Sequence, residues 1–277
     1  MKTKEDITQA VQERYGEIAR GQRSGCGCGT PGPSKAAIGY SAADLELAGQ
    51  ANLGLGCGNP LALADLQPGM TVLDLGSGAG FDAFLAWRRV GPAGRVIGVD
   101  MTDDMLALAR KNAADLGAGN VEFRKGQIER LPVDDAAVDF VISNCVINLS
   151  ADKPAVFREV ARVLKPGGRF AVSDLVLLRA LPAAIAADVN AYVGCVAGAS
   201  LMGDYVRLAL QAGLTDLSIP QMSDGNALAA AWTSDLKPLI ERFGEGELRQ
   251  AASALVSIRL HGRKPAATTQ ASRSCCG

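Results

Sequence analysis

The residues with the most distinctive chemistry in this 277-residue sequence are its cysteines, at positions 26, 28, 57, 145, 195, 275 and 276. None forms a CxxC pair, so neither a zinc ribbon nor a thioredoxin-like motif is indicated, and seven is a poor number for a disulfide framework. Thiolates are soft ligands and select soft centres over oxygen-loving ones. A second constellation is the run Val72-Leu73-Asp74-Leu75-Gly76-Ser77-Gly78-Ala79-Gly80, a strand pattern leading into a GxGxG turn. Glycines there let the backbone approach a ligand closely, and the helix that follows offers unsatisfied amide donors. Asp100 closes the next strand pattern, where a carboxylate can accept hydrogen bonds from both hydroxyls of a ribose. The single histidine, His261, falls in a C-terminal strand pattern, and no His–carboxylate pair is indicated near the glycine turn.

Positioning these residues requires a regular frame. The spacing predicts an amphipathic helix over 3–20, a Gly- and Pro-rich loop over 21–35, and a short helix N-capped by Ser41. NLGLGCGNP (52–60) reads as another glycine-rich turn. From Met70 strands and helices alternate. Strands are predicted at 71–75, 95–100, 121–126, 138–144 and 169–174, and helices at 81–89, 102–116 and 152–164, the last stopped by Lys165-Pro166-Gly167-Gly168. Such alternation implies right-handed crossovers and a doubly wound, mostly parallel Rossmann-like α/β sheet. Beyond Asp174, helices near 182–196 and 203–212 and strands near 216–222 and 255–262 suggest a small α+β cap. The expected organisation is an N-terminal helical segment forming a lid (1–50), a nucleotide-binding domain (51–175), a C-terminal cap (176–264) and a cysteine-bearing tail (265–277).

With 28 basic against 29 acidic residues, nothing suggests a nucleic-acid or anionic-membrane partner. The opening MKTKEDITQA is too charged for a signal peptide, and the apolar stretch 175–189 is broken by Arg179 and Pro182. A cytoplasmic, monomeric protein acting on a small or soft substrate is expected.

The glycine turn with Asp74 before it and Asp100 after it, in motif order over about residues 68–175, resembles the class I S-adenosylmethionine methyltransferases. The resemblance implies that Asp74, Gly76, Ser77, Gly78 and Gly80 cradle S-adenosylmethionine. It further implies that Asp100 holds its ribose, Met101 packs on its adenine, Gln127 and Ile128 meet the adenine edge, and Asn144 lines the cleft near the methyl group. A dinucleotide site is the alternative, since Asp100 could serve NAD equally well.

On that frame Cys145 follows the carboxyl end of strand four, Cys57 lies just ahead of strand one, and Cys195 lies beyond strand five. Three thiolates converging there could bind trivalent arsenic and leave its lone pair free, a transfer that needs no general base. Simple core packing is the competing account for Cys145 and Cys195, less so for Cys57 between glycines. NLGLGCGNP, SNCVINLSADK (143–153) and GCVAGA (194–199) together resemble the arsenite methyltransferases, as do RYGEIAR and EVARVLKPGGRFAVSD. That resemblance implies Cys57, Cys145 and Cys195 as arsenic(III) ligands, with arsenite or its thiol conjugate as substrate and thioredoxin or glutathione as reductant. Cys26, Cys28, Cys275 and Cys276 fall where further thiols could relay arsenic or electrons. The rival functions are methyl transfer to carbon or oxygen of a small quinone-like metabolite, and arsenite binding without catalysis.

Overall fold

The computed structural model describes residues 3–22, 39–62, 64–186, 188, 197–224 and 241–267. Its centre is a seven-stranded sheet in the order β3-β2-β1-β4-β5-β7-β6. The strands are β1 (Thr71–Leu75), β2 (Arg95–Asp100), β3 (Val121–Lys125), β4 (Val138–Asn144), β5 (Leu164–Leu177), β6 (Thr215–Asp224) and β7 (Leu255–Arg263). The helices are α1 (Lys4–Ala19), α2 (Ala42–Ala48), α3 (Phe81–Val90), α4 (Asp103–Leu116), α5 (Lys153–Val163), α6 (Ala183–Ala186), α7 (Met202–Gln211) and α8 (Glu245–Ala252).

β1 to β5 pair in parallel, and the near-continuous apolar runs of β1, β2 and β4 are buried, as a sheet covered on both faces requires. One apolar cluster joins β1 and β4 to α5 and α7, and a second joins the sheet to α2, α3 and α4. The order steps outward from β1 in both directions, to β2 and to β4, so the crevice between their carboxyl ends is the switch point where such sheets bind ligands.

The predicted strands and helices from 71 to 164 are all present, and Ser41 caps α2 through a capping box with Asp44. Two expectations change. Lys165–Gly168 does more than stop α5: it lies inside a β5 that starts at Leu164, as a register break held to Lys264 (Lys264 N–H to Gly168 O, 2.9 Å). The strands assigned to a separate cap join the main sheet, because β7 inserts antiparallel between β5 and β6. Of the helix expected over 182–196, residues 183–186 are helical and most of the remainder lies outside the described residues.

Candidate functional site

A cleft opens at the carboxyl ends of β1, β2 and β4, roofed by Thr8, Val11 and Tyr15 of α1. These three share one helical face, and α1 is tied down at both ends, by Lys4 to Asp152 (2.9 Å) and by Arg20 to Asp104. α1 therefore occupies the place expected of a lid.

The glycine turn forms the cleft's inner wall. Gly76 has φ +62°, and a Cβ there would overlap Val146, so only glycine fits. Gly78 N–H donates to one oxygen of Asp100 (2.9 Å) and Thr102 N–H to the other (2.8 Å), which fixes that carboxylate at the rim. Burial raises the pKa of Asp100. Burial, then the charges of Asp82 and Asp100, push Asp74 well above the carboxylate range. Asp74 Oδ2 and Ser77 Oγ are buried with no hydrogen-bond partner.

Three carboxylates, Asp74, Asp82 and Asp100, line this wall, and no Lys, Arg or His lines it among the described residues. That electrostatic balance suits a ligand carrying ammonium and sulfonium charge and opposes the pyrophosphate of a dinucleotide. The glycine cradle and the carboxylate of Asp100 at the rim fit S-adenosylmethionine.

Of the expected cofactor residues, Asp74, Gly76, Ser77, Gly78, Asp100, Met101, Ile128 and Asn144 line the cleft. Gly80 and Gln127 do not. Gly80 (φ +96°) starts α3, where a Cβ would meet Phe84 at 2.7 Å, so it serves packing. Gln127 forms an antiparallel bridge with Arg130, leaving Gly126, Ile128 and Glu129 facing the cleft.

The opposite wall carries sulfur. Cys57 and Cys145, 88 positions apart, are joined as a disulfide with a Cα–Cα distance of 5.8 Å, a pairing that the odd cysteine count had not suggested. Cys145 adopts φ +59°, a left-handed conformation uncommon for a non-glycine residue, with its N–H bonded to Ser173 O (2.8 Å). A cysteine serving only as core filler has no need of that backbone, which favours a functional role over packing. Asp174 is fully buried, and one of its oxygens lies within 4.8 Å of both sulfurs. Burial raises its pKa to about 7, against the opposing hydrogen bonds of Tyr205, Leu175 and Asn148 and the charge of Lys153. Cys195, Cys26, Cys28, Cys275 and Cys276 lie outside the described residues. Ala199, four positions after Cys195, packs in the same apolar cluster as Cys57 and Cys145.

A family model for a methyltransferase domain matches residues 66–244. An arsenite methyltransferase of Halobacterium salinarum is 43% identical, over 95% of this chain and 68% of its own length. The chain belongs to the arsenite methyltransferase family. A second arsenite methyltransferase, of Aquipseudomonas alcaligenes, is 38% identical over 76% of this chain and 60% of its own length. This chain thus spans about two thirds of the length of one curated relative and less of the other. The crystal structure of an arsenic(III) S-adenosylmethionine methyltransferase from Chlamydomonas reinhardtii shares the fold, with a TM-score of 0.63 at 34% identity, covering 85% of this chain and 75% of that one.

In this member of the arsenite methyltransferase family, two site residues escaped sequence reasoning. Asp174 was visible only as the last residue of a strand pattern. Tyr40 is buried, and its hydroxyl lies 2.9 Å from Asn144 Nδ2, a contact spanning 104 positions that no local spacing announces.

Proposed function

We propose that this chain is a detoxifying enzyme that transfers methyl groups from S-adenosylmethionine to trivalent arsenic held by cysteine thiolates. The observation that carries the reading is the meeting of Cys57 and Cys145 on the wall of a cleft whose opposite wall fits the cofactor. Bound S-adenosylmethionine supplies a methyl group on a positively charged sulfur. Asp100 would take the ribose, Asp74 and the Gly76–Gly78 turn would line the polar end of the cofactor, and Met101 and Ile128 would provide apolar wall.

Reduced Cys57 and Cys145 each replace one hydroxyl of arsenite, a thiol proton and the hydroxyl leaving as water. Cys195, the third cysteine that the family resemblance implies, would take the third position. Three sulfur ligands leave the arsenic lone pair as nucleophile, so no protein base is required. Each methyl group accepted takes arsenic from +3 to +5. Oxidation of two thiols to a disulfide releases two electrons and two protons, which restore the +3 state. The linked Cys57–Cys145 pair is the oxidised half of such an exchange. Thioredoxin or glutathione is the reductant class that would reopen it. Among the described residues no helix is long and apolar enough to cross a membrane.

The test is arsenic speciation. Purified chain is incubated with arsenite, S-adenosylmethionine and a thiol reductant, and the products are separated by chromatography with mass detection. Methylated arsenic from the parent, with none from Cys57→Ser or Cys145→Ser that still bind the cofactor, is the expected result. Absence of any methylated arsenic from the parent would remove the reading.

A further inference from the structure

Cys57 lies in a stretch, 52–59, that is neither helix nor strand, so its position opposite Cys145 must be imposed from outside. The imposition is visible. Cys57 N–H donates to Asn144 Oδ1 (3.2 Å), and Cys57 O accepts from Ser257 Oγ (2.9 Å). Gly58 O accepts from Asn144 Nδ2 (2.8 Å). The same amide nitrogen reaches Asp82 Oδ2 (2.9 Å) and the Tyr40 hydroxyl oxygen (2.9 Å). The Tyr40 hydroxyl reaches Asp82 Oδ1 (2.7 Å) and Gly58 O (3.0 Å). Its ring is fixed edge-on to Phe81, with centroids 4.9 Å apart.

One hydroxyl therefore touches three of the groups that shape the loop: its backbone, the amide that grips it, and the carboxylate that grips the amide. Gly56 seals the arrangement, since a Cβ there would come within 2.8 Å of Asn144. Asn144 and Asp82 also line the cofactor cleft, whereas Tyr40 stands behind that wall. Burial and the nearby Asp82 charge push the Tyr40 pKa upward, so the phenol keeps its proton and remains a donor.

We propose that Tyr40 is a positioning residue for the thiol pair, fixing the Cys57 loop through Asn144 and Asp82 so that Cys57 and Cys145 meet at one arsenic atom. The inference rests on the arsenic reading above for its consequence, though the geometry it describes also governs closure of the disulfide.

The test uses the full chain and Tyr40→Phe, which keeps the ring on Phe81 and removes only the hydroxyl. Two equilibria are read. The first is the dithiol–disulfide balance of the Cys57 and Cys145 peptides in a glutathione redox buffer, followed by alkylation and mass spectrometry. The second is arsenite affinity of the reduced protein. Both should weaken about tenfold, equivalent to about 1.4 kcal/mol, while affinity for S-adenosylmethionine by calorimetry stays within about twofold. Adding Tyr40→Phe to Cys57→Ser should change arsenite affinity no further, because the tyrosine acts through Cys57. An unmoved disulfide balance, a parallel loss of cofactor affinity, or an additive loss in the double variant would each overturn the proposal. The disulfide balance is measured without arsenic, so its outcome reports on Tyr40. A parent that binds no arsenite would instead report on the arsenic reading.

Discussion

The two walls of the cleft are built in different ways. The cofactor wall comes mainly from one continuous stretch, Asp74 to Asp82, with the turns after β2 and β3, and backbone conformation holds its centre: Gly76, Gly78 and Gly80 all have positive φ. The thiol wall is gathered from the Cys57 loop, the end of β4 and Asp174, and it is held by side-chain hydrogen bonds and a covalent link across 88 positions. A wall made of backbone is fixed once the strand and helix form. A wall made of side chains can be opened by reduction and retuned by single substitutions. An enzyme that handles a fixed cofactor and an exchangeable metalloid has use for both.

The two walls meet where Gly76 faces Val146, the residue after Cys145, and where Asn144 reaches Asp82. Gly76→Ala is expected to produce the largest effect of any substitution at the contact between the walls. Its methyl group would displace Val146 and strain a left-handed backbone, an overpacking cost of about 1–3 kcal/mol, or roughly five- to 150-fold in cofactor affinity. Calorimetric titration with S-adenosylmethionine measures this. Because the displaced residue adjoins Cys145, arsenite affinity should fall as well. A variant with weakened cofactor binding and parental arsenite binding would show that the walls move independently.

A smaller effect follows from the carboxylates. Asp74 and Asp100 have folded-state pKa values raised by burial, and Asp74 further by its acidic neighbours. The unfolded chain therefore gives up these protons first, so the empty protein loses stability as pH rises above the ordinary carboxylate range, until the raised values are passed. A cation in the cleft favours the ionised forms. Affinity for S-adenosylmethionine should accordingly strengthen as pH rises above the ordinary carboxylate range, with a weaker trend for S-adenosylhomocysteine, whose sulfur is neutral. Equal trends for the two ligands would mean that the sulfonium charge is not what the carboxylates sense. The thiol wall's cysteines do not contribute while they are linked, so the trend should persist in the oxidised protein.

The same contrast explains what could be read in advance. The ends of β1, β2 and β4 and the glycine turn follow from apolar runs and punctuation within a few residues, and they were legible. Ser41 at the N-terminus of α2 was legible for the same reason. The link of Cys57 to Cys145 was not, because it depends on Asn144 and Tyr40 meeting a loop that has no pattern of its own. β7 was recognised as a strand but misplaced. Its insertion antiparallel beside β5 is a choice among sheet edges that local periodicity does not encode. Gly80 was expected at the cofactor because it belongs to the motif, yet its missing Cβ makes room for Phe84 and Phe123.

The finest test concerns the backbone of Cys145 itself. Its φ of +59° places an L-residue where a side chain costs about 1–2 kcal/mol. At an ordinary position, exchanging Ala for Gly lowers stability by roughly 0.5–1 kcal/mol through the entropy of the unfolded chain. Here the left-handed penalty opposes that loss and should exceed it. Under reducing conditions, where no disulfide contributes to either protein, Cys145→Gly is expected to be more stable than Cys145→Ala by up to about 1.5 kcal/mol, the difference of those two terms. Urea denaturation of the two variants decides the sign. A more stable alanine variant would mean that the end of β4 relaxes once the sulfur is gone, and that the strained backbone is imposed by the thiol wall. The expected order would show that the sheet and Ser173 set the backbone first, and that the cysteine was placed on it afterwards.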